Sequence, residues 1–210
     1  MLSPSGADAS VRVARAADAP AIGAVQLRAW RSSYPDLLPA ATLANLTAPD
    51  LAAGWQTAVT SPPSARHAVL VACAGPIVVG LGAVGPSGDG DAAPTDAELV
   101  ALEVDPAHQR LGHGSRLLAA VADTAREHGF TALRAWVPAS DDARRAFLES
   151  AGMRPDGGRR RLSLSPETAP EPTGTSGKDP GTDPATDAVT DPAGPREIRE
   201  IRLAAALPAG

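Results

Sequence analysis

Residues 98–129, ELVALEVDPAHQRLGHGSRLLAAVADTAREHG, constrain this chain more than any other stretch. A strand, Glu98–Val104, enters a loop containing Gln109, Gly112 and Gly114, and the loop runs straight into a helix over Ser115–His128. Leu117, Leu118, Val121, Ala122 and Ala125 form one apolar stripe on that helix, and Gly129 ends it. Glycines in the loop let the backbone approach a ligand closely. The first helical N–H groups have no intrahelical partner, and the helix N-terminus carries partial positive charge. The amides of Leu111 to Ser115 can therefore cradle a diphosphate without a lysine. A plain glycine turn before a helix is the competing reading of the same residues.

The rest of the chain alternates strand and helix signals. VRVARA (11–16) reads as a strand, and Asp18 as the cap of a helix with Pro20 in its first turn and Ile22, Val25 and Ala29 on one face. A second helix is expected near 48–59. His67–Cys73 and Ile77–Gly85 flank Ala74-Gly75-Pro76 as a hairpin. Thr131–Val137 is a strand. Asp141–Ala151 is a helix capped by Ser140 or Asp141 and stopped by Gly152, and Arg159–Leu164 is a strand. This order predicts an α/β or α+β mixed sheet covered on both faces. Residues 1–10 are expected to be flexible. Residues 165–195, with seven prolines and almost no large apolar side chain, are expected to be a disordered insertion. REIREIRLAAAL (196–207) then reads as a returning strand. The globular part is thus 11–164 plus 196–207.

Charge and composition narrow the function. The net charge of −5 equals the balance of residues 165–195, six acids against Lys178. The remainder is neutral, so no nucleic-acid footprint is indicated. No run approaches the roughly eighteen apolar residues of a membrane span, and MLSPSGADAS lacks the basic and apolar regions of a secretory signal. Cys73 stands alone, which fits a reducing compartment and a cytoplasmic protein. His67, His108, His113 and His128 make no metal-ligand set, so no metal is expected. Gly80, Gly82 and Gly85 match G-x-G-x-x-G but lie within a strand with no helix after it, which argues against a dinucleotide fold.

Gln109-Arg110-Leu111-Gly112-His113-Gly114 resembles the Q/R-x-x-G-x-G/A signature of motif A in the GCN5-related N-acetyltransferases (the GNAT family). Val104-Asp105-Pro106, the WRSSYPDLLP stretch at 30–39 and the segment from Asp141 to AFLESAGM also look like that family, in the same order. The resemblance implies a mixed sheet splayed between two strands, with acetyl-CoA as co-substrate in the splay. It also implies that the final strand inserts antiparallel between the two strands before it in sequence.

The family's chemistry is acetyl transfer to a primary amine of a small molecule or peptide, by direct attack in a ternary complex. A catalytically silent acyl-CoA-binding module is the alternative, and a homodimer is left open. Carried over residue by residue, the resemblance assigns cofactor contacts to Leu102, Val104, Gln109, Arg110, Leu111, Gly112, His113, Gly114, Ser115 and Asp141. It assigns substrate contacts to Trp30 and Tyr34, while the residues alone read Trp30 and Trp55 equally as pocket or core. Glu98, eleven residues before Gln109, is the candidate general base. Glu103 is the competitor, and strict strand alternation would put it on the opposite face. Where the family's second motif presents a tyrosine, this chain has Leu148, which cannot donate a proton. Asp141 stands where many members have asparagine.

Overall fold

Seven strands form one sheet in the order β1-β2-β3-β4-β5-β7-β6 in the computed structural model, which describes residues 9–35, 40–164 and 196–208. The strands are β1 (Ala9–Val13), β2 (Ala68–Ala74), β3 (Ile77–Pro86), β4 (Asp96–Val104), β5 (Ala132–Pro138), β6 (Arg154–Leu164) and β7 (Arg196–Ala206). The helices are α1 (Ala19–Ser33), α2 (Ala40–Asn45), α3 (Ala48–Thr60), α4 (His113–Glu127) and α5 (Asp142–Ser150). All neighbouring strands run antiparallel except β4 and β5. As the resemblance implies, β7 lies between β5 and β6. The disorder expected for 165–195 lies outside the described residues. So do residues 1–8 of the N-terminus expected to be flexible, whereas Ala9 and Ser10 already pair with β2.

Two apolar layers hold the sheet between helices. On one face Leu117, Leu118, Val121 and Ala125 of α4 and Leu148 of α5 pack against Val79, Leu99, Leu102, Leu133, Val137 and Leu203. Each of these leucines and valines, when fully buried, contributes about 1.5–3 kcal/mol. On the other face Ile22 and Val25 of α1, with Trp55 and Val59 of α3, cover Val69, Val71, Leu81 and Ala101. Trp55 is therefore core, and its indole N–H donates to Gln26 Oε1 at 2.7 Å. Gly80 and Gly82 belong to helix packing: a Cβ on either would come within 3.0 Å of Leu117 or Val121 of α4.

The expected Asp18 cap is not made. Its carboxylate instead accepts from the Arg15 backbone N–H at 2.7 Å and pairs with Arg12. A preceding 3-10 turn, Ala16–Asp18, puts Asp18 in helical backbone geometry, which an N-cap does not adopt. Helix α4 starts two residues earlier than expected, at His113.

β4 and β5 separate. Their parallel ladder has three pairs, Asp96 with Ala132, Ala97 with Leu133 and Glu98 with Arg134. Beyond Glu98, β4 continues to Val104 paired to β3 alone, and β5 continues to Pro138 paired to β7 alone. The cleft so opened faces unladdered backbone of β4.

Candidate active site

A bulge in β4 shapes one wall of that cleft. Ala83 pairs with Ala101, but its neighbour Val84 pairs with Leu99, so Val100 is an extra residue. Val100 turns outward and is 60% exposed, although it sits in an inner strand. The bulge also overturns the expectation that Glu98 and Glu103 face opposite sides. Their partners, Gly85 and Leu81, are an even number of residues apart on β3, so both glutamates point to the α1 face. Both line a pocket of ≈ 230 Å³ together with Trp30 and Tyr34.

The two carboxylates differ in their surroundings. Glu98 sits at the vertex where β4 leaves β5. Burial raises its pKa, and Asp89 and Glu200 add to that while Arg160 opposes it. Glu103 is deeper. Burial pushes its pKa up as well, against the pull of Arg144 and a hydrogen bond from Trp30. Arg144 comes from α5, which packs on the opposite face of the sheet, and it crosses the splay. Its Nη1 lies 3.2 Å from Glu103 Oε1 and donates to Tyr34 Oη at 2.9 Å. Burial, together with Glu103 and Asp141, drives the Tyr34 phenol up to about 12 despite Arg144. Tyr34 therefore stays protonated at neutral pH.

On the β5–β7 side, Arg160 pairs with Glu200 at 2.6 Å and lies 4.4 Å over the Trp136 ring. Arg202, 7% exposed, binds Asp89, Asp91 and Asp156. The Trp136 indole donates to Asp89 at 3.1 Å. This network clamps the β3–β4 loop onto β7 beside the pocket.

The loop after β4 is fixed at both ends. Asp105 N–H donates to Val79 O, and its carboxylate binds Arg28 at 2.5 Å and accepts from Ala107 N–H. Burial works against the charge of Asp105, but the Ala107 amide and Arg28 hold its pKa low. Gln109 Nε2 reaches back to Val104 O at 3.2 Å. Arg110 (φ 63°) and Gly112 (φ 83°) are left-handed, and Gly112 is the N-cap of α4. Gln109, Arg110, Leu111 and Ser115 are exposed around this helix start. A Cβ on Gly112 would stand 2.8 Å from Arg116 Nη1, and one on Gly114 would lie 3.6–3.8 Å from Phe147 and Val104. The cradle is thus open backbone with a guanidinium beside it, which fits a phosphate group.

Not every expected residue serves that cradle through its side chain. His113 is 4% exposed and turns its ring inward, toward His108 at 6.4 Å. Burial, Arg116 and His108 lower its pKa and favour the neutral imidazole; with the ring turned inward, only its backbone N–H is left for the cradle. The Leu102 side chain lies in the core under α4. Asp141 Oδ1 caps α5 through the Arg144 N–H at 2.9 Å. Leu148 is fully buried. Sequence reasoning did not find Arg144, Arg160, Trp136 or Glu200. Only the unbroken apolar run Leu99–Leu102 hinted at a break in alternation.

A model of the acetyltransferase (GNAT) family matches residues 27–153, from the second half of α1 to just past α5. The chain belongs to the GNAT family. Solved GNAT-type structures resemble it over nearly its whole length. An N-acetyltransferase from Staphylococcus aureus Mu50 has a TM-score of 0.64 at 17% identity, covering 96% of this chain and 100% of that one. A ribosomal-protein-alanine N-acetyltransferase from Brucella melitensis has a TM-score of 0.62 at 21% identity, covering 94% and 99%. The protein yncA of Salmonella typhimurium, solved with its cofactor acetyl-CoA, has a TM-score of 0.60 at 17% identity, covering 97% and 96%. No curated protein matches. Among the described residues, no helix of this GNAT protein is long and apolar enough to cross a membrane.

Proposed function

We propose that the protein transfers an acetyl group from acetyl-CoA to a primary amine by direct attack in a ternary complex, with Glu98 as general base. The observation that carries this is the position of Glu98 at the vertex of the splay, within the same cleft wall that leads to the Gly112 helix start. Acetyl-CoA supplies a thioester-activated acetyl group. The amides from Leu111 to Ser115, with Arg110 and Arg116 nearby, are suited to hold its diphosphate. The unladdered edge of β4 up to Val104 offers backbone groups to the pantetheine arm and a donor for the carbonyl oxygen.

Amines arrive protonated and attack only when neutral. The Glu98 carboxylate takes that proton, and its raised pKa makes it a stronger base than an exposed glutamate. The Arg144–Glu103–Tyr34 bridge holds one wall of the acceptor pocket rigid. Leu148, where the family's second motif presents a tyrosine, favours a second reading, a silent acyl-CoA-binding module, because leucine supplies no proton to the departing thiolate. A thiol of pKa ~8.5 leaves tolerably without help, which favours the enzyme.

Calorimetry with acetyl-CoA should detect binding that Gly112→Glu and Gly114→Glu both damage. Undiminished binding in both variants rejects the phosphate-loop assignment. Release of free thiol across an amine panel separates the enzyme from the silent module.

A further inference from the structure

We propose that the acceptor is a compact primary amine with an apolar, aromatic-sized body and no carboxylate group. This inference rests on the acetyl-transfer reading and names its substrate class. It stands on three features of the acceptor pocket.

The first is a charge balance. Three glutamates and two arginines line the pocket. Arg144 is taken by Glu103 and Tyr34, and Arg160 by Glu200 and the face of Trp136. Glu98 forms no ion pair within 4.0 Å among the described residues. The uncancelled charge is one carboxylate, placed to receive an ammonium group. A zwitterionic amino acid would bring its own carboxylate into the same space. It would have to displace a glutamate from an arginine or stay unpaired, and a buried unpaired charge is strongly rejected.

The second is the lining. Val100 stands 60% exposed at the pocket because the bulge turns it out of the core. Trp30, Tyr34, Pro138 and Ile198 add apolar surface around it. A polar acceptor such as an aminosugar would leave that surface wet, and a polyamine would bring more positive charges than the single uncancelled carboxylate can match, whereas a monoamine with an aryl or alkyl body would cover it. The third is size. The pocket, at ≈ 230 Å³, lies below the ~300–1,000 Å³ usual for drug-sized ligands.

The test measures kcat/KM by thiol release at saturating acetyl-CoA for matched pairs: 2-phenylethylamine with phenylalanine, and tryptamine with tryptophan. Spermidine and a short peptide with a free N-terminus complete the set. Each arylalkylamine should exceed its amino acid by about a hundredfold or more, as expected where a buried group is left unpaired. Glu200→Gln frees Arg160 to bind a carboxylate, so it should narrow that gap by about tenfold or more. Comparable rates for amine and amino acid, or faster turnover of spermidine or the peptide, would overturn the substrate class and leave acetyl transfer standing. No turnover of any amine would overturn both.

Discussion

Gly112 and Gly114 are two residues apart, yet alanine at each should move stability in opposite directions. Gly112 holds φ at 83°, where an L side chain costs about 1–2 kcal/mol. Reduced entropy of the unfolded chain returns about 0.4–1 kcal/mol of that. The new Cβ also meets Arg116 Nη1, the mobile end of a long side chain that can shift cheaply. Gly112→Ala should therefore lose about 1 kcal/mol. Gly114 lies within the first turn of α4, and its Cβ would make only ordinary contacts at 3.6–3.8 Å. Gly114→Ala should gain about 0.5–1 kcal/mol from helix propensity. At ~2–4 °C per kcal/mol for a domain of this size, melting temperatures of the two variants should differ by roughly 3–8 °C. Acetyl-CoA affinity should fall in Gly112→Ala, which redirects an amide, and hold in Gly114→Ala, whose motif position accepts alanine and whose Cβ meets Phe147 and Val104 only at ordinary contact distances. Thermal unfolding followed by circular dichroism, with calorimetry alongside, measures both quantities. Shifts of the same sign would refute the backbone reasoning, and full affinity in Gly112→Ala would refute the cradle.

Glu98→Gln should cut turnover by about 10²–10⁴-fold while sparing acetyl-CoA affinity, and the defect should shrink at high pH, where more amine is already neutral. Because burial raises the Glu98 pKa in the fold, the native state binds more protons than the unfolded chain between the two pKa values. Glu98 therefore costs stability as pH rises through that window, and Glu98→Gln should raise the melting temperature at neutral pH, with the gain fading below the unfolded value of about 4.3. Glu103→Gln should lower kcat/KM by about tenfold or more by loosening Arg144 and Tyr34, whereas strict alternation would make it nearly silent; steady-state kinetics decides. Leu148→Tyr should overpack the core, costing about 1–3 kcal/mol by denaturant melts, without raising turnover.

What sequence could and could not reveal follows from the range of each interaction. Helix α4 was legible because its apolar stripe and glycine loop are local, and the βα motif places Gly112 and Gly114 with no knowledge of the rest. The position of β7 came through family resemblance, since nothing in REIREIRLAAAL names its neighbours. The pairing of Glu98 with Glu103 on one face was misread because one bulged residue resets the alternation, and bulges depend on how the partner strand lies. Arg144 was invisible for a similar reason: its partners are 41 and 110 residues away. The cap at Asp18 failed locally, because Arg12 and a 3-10 turn claimed the same carboxylate.

The placement of β7 also governs the order in which the protein can be built. Among the described residues β6 has no sheet neighbour except β7, and of these seven strands β7 is the last to be synthesised. When residues 154–164 emerge, the edge of β5 awaits a strand that has not been made. That edge stays open, a template for wrong pairing, until Arg196–Ala206 appear. Leu203, fully buried in the finished core, arrives at the same moment. Half of the cleft, with Arg160 and Glu200, can then close only after synthesis of the sheet is essentially complete. A nascent chain stalled before residue 196 should expose an unpaired β5 and engage chaperones there.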